Sequence, residues 1–270
     1  GVQTCALPIY CNGSGYTRCF ALSAAMPPVE VLIFTPLIIV AAYLIFGMSG
    51  FGSTLIAVPL LAHLMPLKFA IPMVVLLDCV SAFSMGLKLR ADVWKAEFVP
   101  LLPFLLVGLF AGAFVLLKVP PRWLLLGLGV FVLVFGGHFL IHRTAAIRLP
   151  RWAAAPTGII AGTTSSALGV GGPIYVFYFT ARGATPDQIR ATVPAVFTFT
   201  SAARIAIFTG VGLFNTDVLS AAAALLLVMA LGLWCGHRLH GRLTRDQAMR
   251  VIGALLLLSG VSLLARAAAG

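Results

Sequence analysis

The strongest constraint on this sequence is a series of long apolar runs joined by short polar connections. Most of the runs approach the about 20 residues that a helix needs to cross the hydrocarbon core of a bilayer. The runs are Val29–Phe46, Phe51–Met65, Phe69–Leu87, Phe98–Val119, Trp123–Ile141, Trp152–Leu168, Pro173–Ala181, Ile189–Leu213, Val218–Gly236 and Ala248–Ala265. Only 9% of the 270 residues are charged, whereas a soluble domain carries roughly 25% charged residues. The sequence therefore predicts an all-α fold, a polytopic helical membrane protein, with no second, soluble domain.

The net charge of +11 raises the question of an acidic partner such as nucleic acid. Most of the basic residues lie in the short connections between apolar runs, where positive charge is typical of the cytoplasmic face of a membrane protein. We therefore expect a lipid bilayer, and no nucleic acid, around this chain.

Residues 1–25 do not share the pattern of the rest. Their first nine letters, GVQTCALPI, resemble a translated sequencing adapter, and three of the five cysteines (Cys5, Cys11 and Cys19) fall in this stretch. A disulfide-bonded extracellular cap is the alternative interpretation. We expect a non-native or disordered leader, which is excluded from reasoning about the fold, and we expect the native chain to start at Met26.

Two apolar runs are interrupted by glycine-rich segments, FGMSGFGSTLIAVP at 46–59 and ALGVGGPIYVF at 167–177. Glycine in a helix interior costs about 1 kcal/mol relative to alanine, and a bilayer has no water to pair a broken backbone. Irregular backbone at membrane depth is tolerated where protein buries it or where it lines a watery cavity. Both segments are therefore predicted helix breaks with a possible role in function.

The two halves of the sequence resemble each other. The first break matches the second with a shift of 119 residues, and Pro72 matches Pro194 with a shift of 122. Four further glycines match at a constant shift of 124, namely Gly108, Gly112, Gly129 and Gly136 with Gly232, Gly236, Gly253 and Gly260. The conserved order of these matches predicts an internal duplication, with a first transmembrane repeat at 26–151 and a second at 152–270.

The distribution of positive charge distinguishes two topologies. If each break is a plain loop beside an ordinary span, eight crossings put nine basic residues on one side and seven on the other, which shows no preference. If each break is the tip of a hairpin that enters and leaves on one side, twelve basic residues lie on one side of the membrane and four on the other. This asymmetry is what the positive-inside rule expects, so we adopt the hairpin arrangement, with both termini outside.

Each repeat is then a broken, re-entrant hairpin followed by three transmembrane helices. Because a repeat crosses the membrane an odd number of times, the second repeat is inverted relative to the first, and the two breaks approach each other near the midplane. Inverted repeats with broken helices at their centre are typical of secondary transporters that work by alternating access.

The breaks are suited to binding an anion. A helix that begins at a break directs unpaired N–H groups and the positive end of its dipole at the site. Glycines allow close approach of the backbone and the hydroxyl residues add donors. The predicted substrate-binding residues at the breaks are Ser49, Gly50, Gly52, Ser53, Thr54, Ser165, Ser166, Gly169, Gly171 and Gly172. The alternative is that these small residues only permit tight packing, as we expect of the GxxxG pairs Gly108/Gly112 and Gly232/Gly236.

Two charged residues lie near the centres of apolar runs, Asp78 in the first half and Arg204 in the second. Such residues cost about 2.5 to 3.5 kcal/mol each at mid-membrane on insertion scales and are functional candidates by default. We expect Arg204 to attract the anion, and Asp78 either to pair with Arg204 or to carry a coupling proton. A purely structural ion pair between the halves is the alternative.

The paired breaks, GFG near the start and GVGGP at the middle, resemble those of the TauE/SafE sulfite-exporter family of bacterial inner-membrane permeases. The resemblance covers Pro28 to about Arg266 and carries the glycine-rich positions of the family onto Gly50, Phe51, Gly52, Gly169, Gly171, Gly172 and Pro173. Ser53 stands where members often have a further glycine, which implies a less accessible first break. The resemblance implies an inner-membrane exporter of sulfite, a sulfonate or another small anion.

Two other classes of function are weighed against a carrier. A membrane-embedded enzyme would need a nucleophile–base pair or a metal cluster, and no spacing of that kind stands out, so no catalytic residue, metal or cofactor is predicted. The sequence lacks the GxxxxGK[ST] motif of ATP-hydrolysing pumps. An anion channel would share the architecture. The identity of the anion, the direction of transport, the coupling ion and the oligomeric state are left open.

Overall fold

The computed structural model describes residues 29–89, 93–141, 149–239, 253–254 and 256–265. The predicted leader at 1–25 lies outside the described residues. All regular structure in the described ranges is helical, which confirms the predicted fold class. The helices, with a short 3-10 turn at Arg151–Ala153 before α6, are α1 Val29–Ser49, α2 Ser53–Leu61, α3 Leu67–Leu89, α4 Lys95–Lys118, α5 Pro121–Ile141, α6 Ala154–Ala167, α7 Gly172–Ala181, α8 Pro186–Gly210, α9 Thr216–Leu239 and α10 Leu256–Ala265.

Six of these helices, α1, α3, α4, α5, α8 and α9, are long and apolar enough to cross a membrane. Their outward faces carry large apolar side chains: Phe110 and Phe114 of α4 are 62% and 63% exposed, and Leu227 of α9 is 76% exposed. Water would oppose such exposure, whereas lipid tails accept it. The structure therefore confirms the predicted polytopic membrane protein.

The helices that follow the two breaks are too short to cross a membrane. At 1.5 Å per residue, the nine residues of α2 and the ten of α7 span roughly half of the hydrocarbon core, which is about 30 Å thick. The end of α7 returns to the segment that precedes α6, because the Leu149 amide donates to the Ala181 carbonyl oxygen at 3.1 Å. A capping box between Thr185 and Gln188 then starts α8, with Thr185 Oγ1 accepting from the Gln188 amide at 3.2 Å.

The centre of the fold is the pair α3 and α8, which are the most buried of the six long helices. The two helices run antiparallel, because the end of α3 lies beside the beginning of α8. The Trp94 amide, just beyond α3, donates to Thr192 Oγ1 at 2.9 Å, and a Cβ built on Gly86 would lie 3.4 Å from Thr198 Oγ1. The middle of this pair is therefore the place where a central site can form.

Glycines bring two further pairs of helices into backbone contact. At the α4–α6 interface a Cβ on Gly108 would overlap the Ile159 carbonyl oxygen, and a Cβ on Gly162 would lie 2.9 Å from the Gly108 Cα. At the α1–α9 interface a Cβ on Gly232 would lie 2.7 Å from the Val40 carbonyl oxygen. The packing role predicted for both GxxxG pairs is confirmed.

The contacts between helices repeat when the two halves are exchanged. The repeat pairs α1 with α6, α3 with α8, and α4 with α9. When these partners are exchanged, the α1–α9 contact becomes the α6–α4 contact and the α3–α9 contact becomes the α8–α4 contact, while the α3–α8 contact stays the same; all of these contacts are present. An antiparallel α3–α8 pair is also what an inverted repeat requires. These features support the predicted duplication; the repeat boundaries and the inversion themselves stay predictions.

Candidate functional site

The first break is a left-handed bend between α1 and α2. Gly50 and Gly52 have φ of 80° and 98°, a region in which a side chain is strained and glycine is not. The Gly50 amide closes α1 on the Phe46 carbonyl at 2.7 Å, and α2 begins at Ser53 without a side-chain cap. Ser53 and Thr54 are buried, so the unpaired first-turn amides of α2 point into protein. Ser49 is the last residue of α1, and its side chain lies outside the described part of the structure.

The second break has the same construction between α6 and α7. Gly169 has a φ of 77°, and α7 begins at Gly172, again without a side-chain cap. Gly171 has an ordinary backbone conformation but no room for a side chain, because a Cβ there would lie 2.9 Å from the Tyr175 hydroxyl. The hydroxyls of Ser165 and Ser166, in the last turn of α6, are buried and lack hydrogen-bond partners in the described structure.

The two bends do not lie at one depth, so the expectation that both approach the midplane is wrong for the bends themselves. A Cβ on Gly50 would lie 3.4 Å from the Arg190 carbonyl oxygen, near the start of α8, and one on Gly169 would lie 3.6 Å from Ile71 Cγ1, near the start of α3. Because α3 and α8 are antiparallel, these positions are at opposite ends of the pair. The starts of the short helices lie nearer the middle: Ser53 contacts Asp78, in the middle of α3. The broken segments therefore pass each other across the centre.

Asp78, a residue of α3, packs beside the start of α2. The side chain is 1% exposed, and its Oδ1 accepts hydrogen bonds from the Tyr43 hydroxyl at 2.8 Å and the Ser53 hydroxyl at 2.9 Å. Oδ2 has no hydrogen-bond partner within the described ranges. The carboxylate thus faces the positive end of the α2 dipole, where a negative charge is stabilised.

Arg204, a residue of α8, packs beside the end of α6. The side chain is 0% exposed; Nη1 donates to the Ser165 carbonyl oxygen at 2.9 Å, and Nη2 lies 3.5 Å from Ser201 Oγ. The guanidinium thus faces the negative end of the α6 dipole, while its Nε has no partner among the described residues. Arg204 and Asp78 are close enough for their charges to interact, but no ion pair joins them in the described structure.

The sequence did not single out two tyrosines that complete this cluster. Tyr43 donates to Asp78, and the Tyr175 hydroxyl lies beside Ser165 without a hydrogen bond of good geometry. Both tyrosines are fully buried. A tyrosine hydroxyl within an apolar run next to a glycine break is the signal that could have identified them, because a buried tyrosine normally needs a polar partner.

A second polar cluster anchors the far end of the second hairpin. Arg182, just beyond α7, donates from Nε and Nη2 to both carboxylate oxygens of Glu97 at 2.9 and 2.6 Å, and from Nη1 to the Leu149 carbonyl oxygen at 2.6 Å. The Tyr178 hydroxyl donates to Glu97 at 2.9 Å. The hydrogen bonds to Glu97 raise the pKa of Arg182, so the guanidinium is charged at any physiological pH. This cluster ties α7 to α4.

The fold and the site together define a class of protein. Six long apolar helices are combined with two short helices that follow the breaks, and these short helices begin without side-chain caps beside a buried aspartate and a buried arginine. Broken helices with polar groups at membrane depth are the architecture of membrane transporters.

The chain belongs to the TauE/SafE family, since the family profile described as Sulfite exporter TauE/SafE matches residues 35–263. A relative from Comamonas testosteroni, named Probable inner membrane transporter protein TsaS, is 28% identical over 194 residues, which cover 71% of this chain and 81% of the relative. No solved structure matches the chain. The resemblance drawn from the breaks is confirmed, as is the prediction of a multi-pass transporter of the inner membrane. The roles of the individual site residues stay predictions.

Proposed function

We propose that this protein is a secondary transporter, an exporter, of a small anion such as sulfite or an organosulfonate, and that it works by alternating access around the paired breaks. The family description names sulfite export, which supports the substrate class. The observation that carries the proposal is Arg204, a fully buried guanidinium of the membrane-spanning helix α8 that lies beside the second break and whose Nε has no partner among the described residues.

A buried guanidinium N–H without an acceptor costs free energy, and a ligand that accepts a hydrogen bond from it removes this cost. Arginine binds oxyanions through charge-assisted hydrogen bonds in a fixed planar geometry. The uncapped start of α7 adds backbone amides and a positive dipole end to the same place. These donors together suit a small anion with several oxygens.

The glycines of both breaks are buried, which supports reading this arrangement as a closed state of the proposed cycle. Transport therefore requires one hairpin at a time to move away from the central α3–α8 pair. The paired α1–α9 and α4–α6 interfaces support such a motion, since each hairpin has its long arm fixed by a glycine-lined contact to a helix of the other half. In this scheme Asp78, with one free carboxylate oxygen, is the group that carries a coupling proton.

Purified protein in liposomes provides the test. We expect saturable flux of sulfite or methanesulfonate, with counterflow when the trans side holds unlabelled anion. Arg204→Gln keeps much of the side-chain volume but removes the charge, and it should abolish flux. Arg122→Gln is the matched control, because Arg122 is exposed in the first turn of α5, and it should transport normally.

The outcomes separate the alternatives. Unsaturated currents through single molecules would indicate a channel, and a chemically changed product in sealed vesicles would indicate an enzyme. Normal transport by Arg204→Gln would remove Arg204 from the site, and a wild-type protein that moves none of the anions would end the proposal.

A further inference from the structure

An arginine lies beside each break, Arg190 beside Gly50 and Arg204 at the end of α6, but the two breaks differ in whether a carboxylate lies at the start of the short helix. At the first break the protein supplies its own anion, because Asp78 accepts from Ser53, the first residue of α2. A second anion placed at the same helix start would meet the like charge of this carboxylate in a medium of low dielectric, where repulsion is strong. The first break is therefore a poor place for a substrate anion while Asp78 is ionised.

At the second break no carboxylate of the described chain takes this position. Of the described acidic residues besides Asp78, Glu97 is bonded to Arg182 and Tyr178, and Glu30, Asp187 and Asp217 are exposed in the first turns of their helices. Arg204 lies beside this break instead, because its Nη1 donates to the Ser165 carbonyl oxygen in the last turn of α6 at 2.9 Å. The second break thus combines a positive helix end with a positive side chain.

Apart from Ser166, whose Cβ lies against Gly112 of α4, three donors at the second break lack partners in the described structure: the Tyr175 hydroxyl, the Ser165 hydroxyl and the Arg204 Nε. All three side chains are at least 99% buried. The two hydroxyls converge on Gly171, since a Cβ built there would lie 2.9 Å from the tyrosine oxygen and 3.0 Å from the serine oxygen. Unpartnered buried polar atoms are rare in folded proteins. Two hydroxyls that converge on one helix start, beside an arginine bonded to the backbone of the same segment, indicate a ligand.

Packing fixes the direction of the tyrosine. The Tyr175 ring meets the Phe197 ring edge to face, with centroids 5.9 Å apart and planes at 87°. Phe197 is in turn held against Phe46 of α1 at 6.3 Å. The phenol therefore presents its hydroxyl to the break without freedom to turn away, as a residue that selects a ligand must do.

We propose that the oxyanion head group of the substrate binds at the second break, on Tyr175, Ser165 and Arg204, and that Asp78 holds the first break as the anion of the protein itself. This inference rests on the proposed transport function and assigns its two breaks different roles. Donors that converge from two hydroxyls and a guanidinium fit a head group with at least two acceptor oxygens. Sulfite and a sulfonate have such a head group, and chloride does not.

A pair of tyrosines three residues apart on α7 provides a matched test. Tyr175→Phe removes a hydroxyl that makes no hydrogen bond of good geometry to the described residues, whereas Tyr178→Phe removes one that is bonded to Glu97. Tyr175→Phe should keep or raise the melting temperature and raise the KM for sulfite and methanesulfonate about ten-fold or more, the loss expected for one hydrogen bond to a charged group. Tyr178→Phe should lower the melting temperature and leave KM unchanged.

Proteoliposome flux with each anion separately distinguishes free sulfite from a sulfonate head group, and chloride serves as a competitor. Preference for the oxyanions over chloride should shrink in Tyr175→Phe, which a merely structural tyrosine would not cause. Ser165→Ala is the second variant, should Tyr175→Phe fail to insert, and the same rise in KM is expected. Wild-type flux with an unchanged KM in these variants overturns the subsite alone, whereas absent wild-type flux overturns the transport function.

Discussion

A tight helix contact at Gly236 gives a prediction that can be worked out in magnitude. Gly236 of α9 lies against α1, where a Cβ would overlap the Leu44 carbonyl oxygen and lie 3.1 Å from the Gly47 Cα. Both neighbours are backbone, so no side chain can rotate to make room and the helices must separate. Overpacking of this kind costs about 1–3 kcal/mol, and at about 2–4 °C per kcal/mol for a chain of roughly this size the melting temperature of Gly236→Ala should fall by several degrees.

The control is Gly137→Ala in α5. Gly137 is also helical, but a Cβ there would meet nothing within 4 Å, and alanine stabilises a helix interior by about 1 kcal/mol relative to glycine. Gly137→Ala should therefore leave the melting temperature unchanged or raise it. Fluorescence-detected size-exclusion chromatography of heated, detergent-solubilised samples measures both variants side by side.

The equivalent change at the other interface extends the test. Gly112 of α4 stands 124 residues before Gly236, and a Cβ there would overlap the Thr163 carbonyl oxygen of α6. Because the two interfaces share no helix, the losses in Gly112→Ala and Gly236→Ala should add in the double variant. Equal melting temperatures for Gly236→Ala and Gly137→Ala would refute the close α1–α9 contact, and with it the symmetric packing of the hairpins.

Three further predictions concern the anchor, the coupling and the topology. Glu97→Gln and Arg182→Gln should each destabilise the protein, and a double-mutant cycle on thermal stability should give a coupling of about 0.5–3 kcal/mol; additive losses would show that the pair does not hold the hairpin. Asp78→Asn should keep sulfite exchange but lose any acceleration by a pH gradient, which flux at matched and opposed pH measures; a retained response would place proton coupling elsewhere. In a cysteine-free background, Gly183→Cys should be labelled from the cytoplasm and Lys68→Cys from outside, and labelling of both from one side would contradict the hairpin topology.

The two hairpins are in direct contact, and the second hairpin is also held at its open end. Arg182 and Glu97 hold the open end of the second hairpin by a bidentate ion pair, and a Cβ on Gly169 would meet the side chain of Val58 of α2 at 2.9 Å. The second bend therefore rests directly on the short arm of the first hairpin. Displacement of one hairpin must change the space available to the other, which is the coupling that alternating access needs.

The sequence by itself determined the environment of the chain, the two helix breaks, the glycine pairs that pack helices and the two buried charges. Each follows from a local cost: the scarcity of charge excludes a soluble fold, glycine in a membrane helix needs a reason, and an ionised side chain at mid-membrane is expensive. The breaks also indicated the family, because their glycine-rich sequences and their paired positions in the chain are distinctive.

Only the tertiary structure decided which groups meet. Asp78 accepts hydrogen bonds from Tyr43 and Ser53 and none directly from Arg204, and the hydroxyl of Tyr175 has no hydrogen-bond partner among the described residues. The physical reason is the solvent: in lipid, both the packed and the outward faces of a helix are apolar, so its sequence carries little of the periodicity that shows, in a soluble protein, which face turns inward. The rotation of each helix, and hence every contact across the site, is set by close packing between residues far apart in the chain.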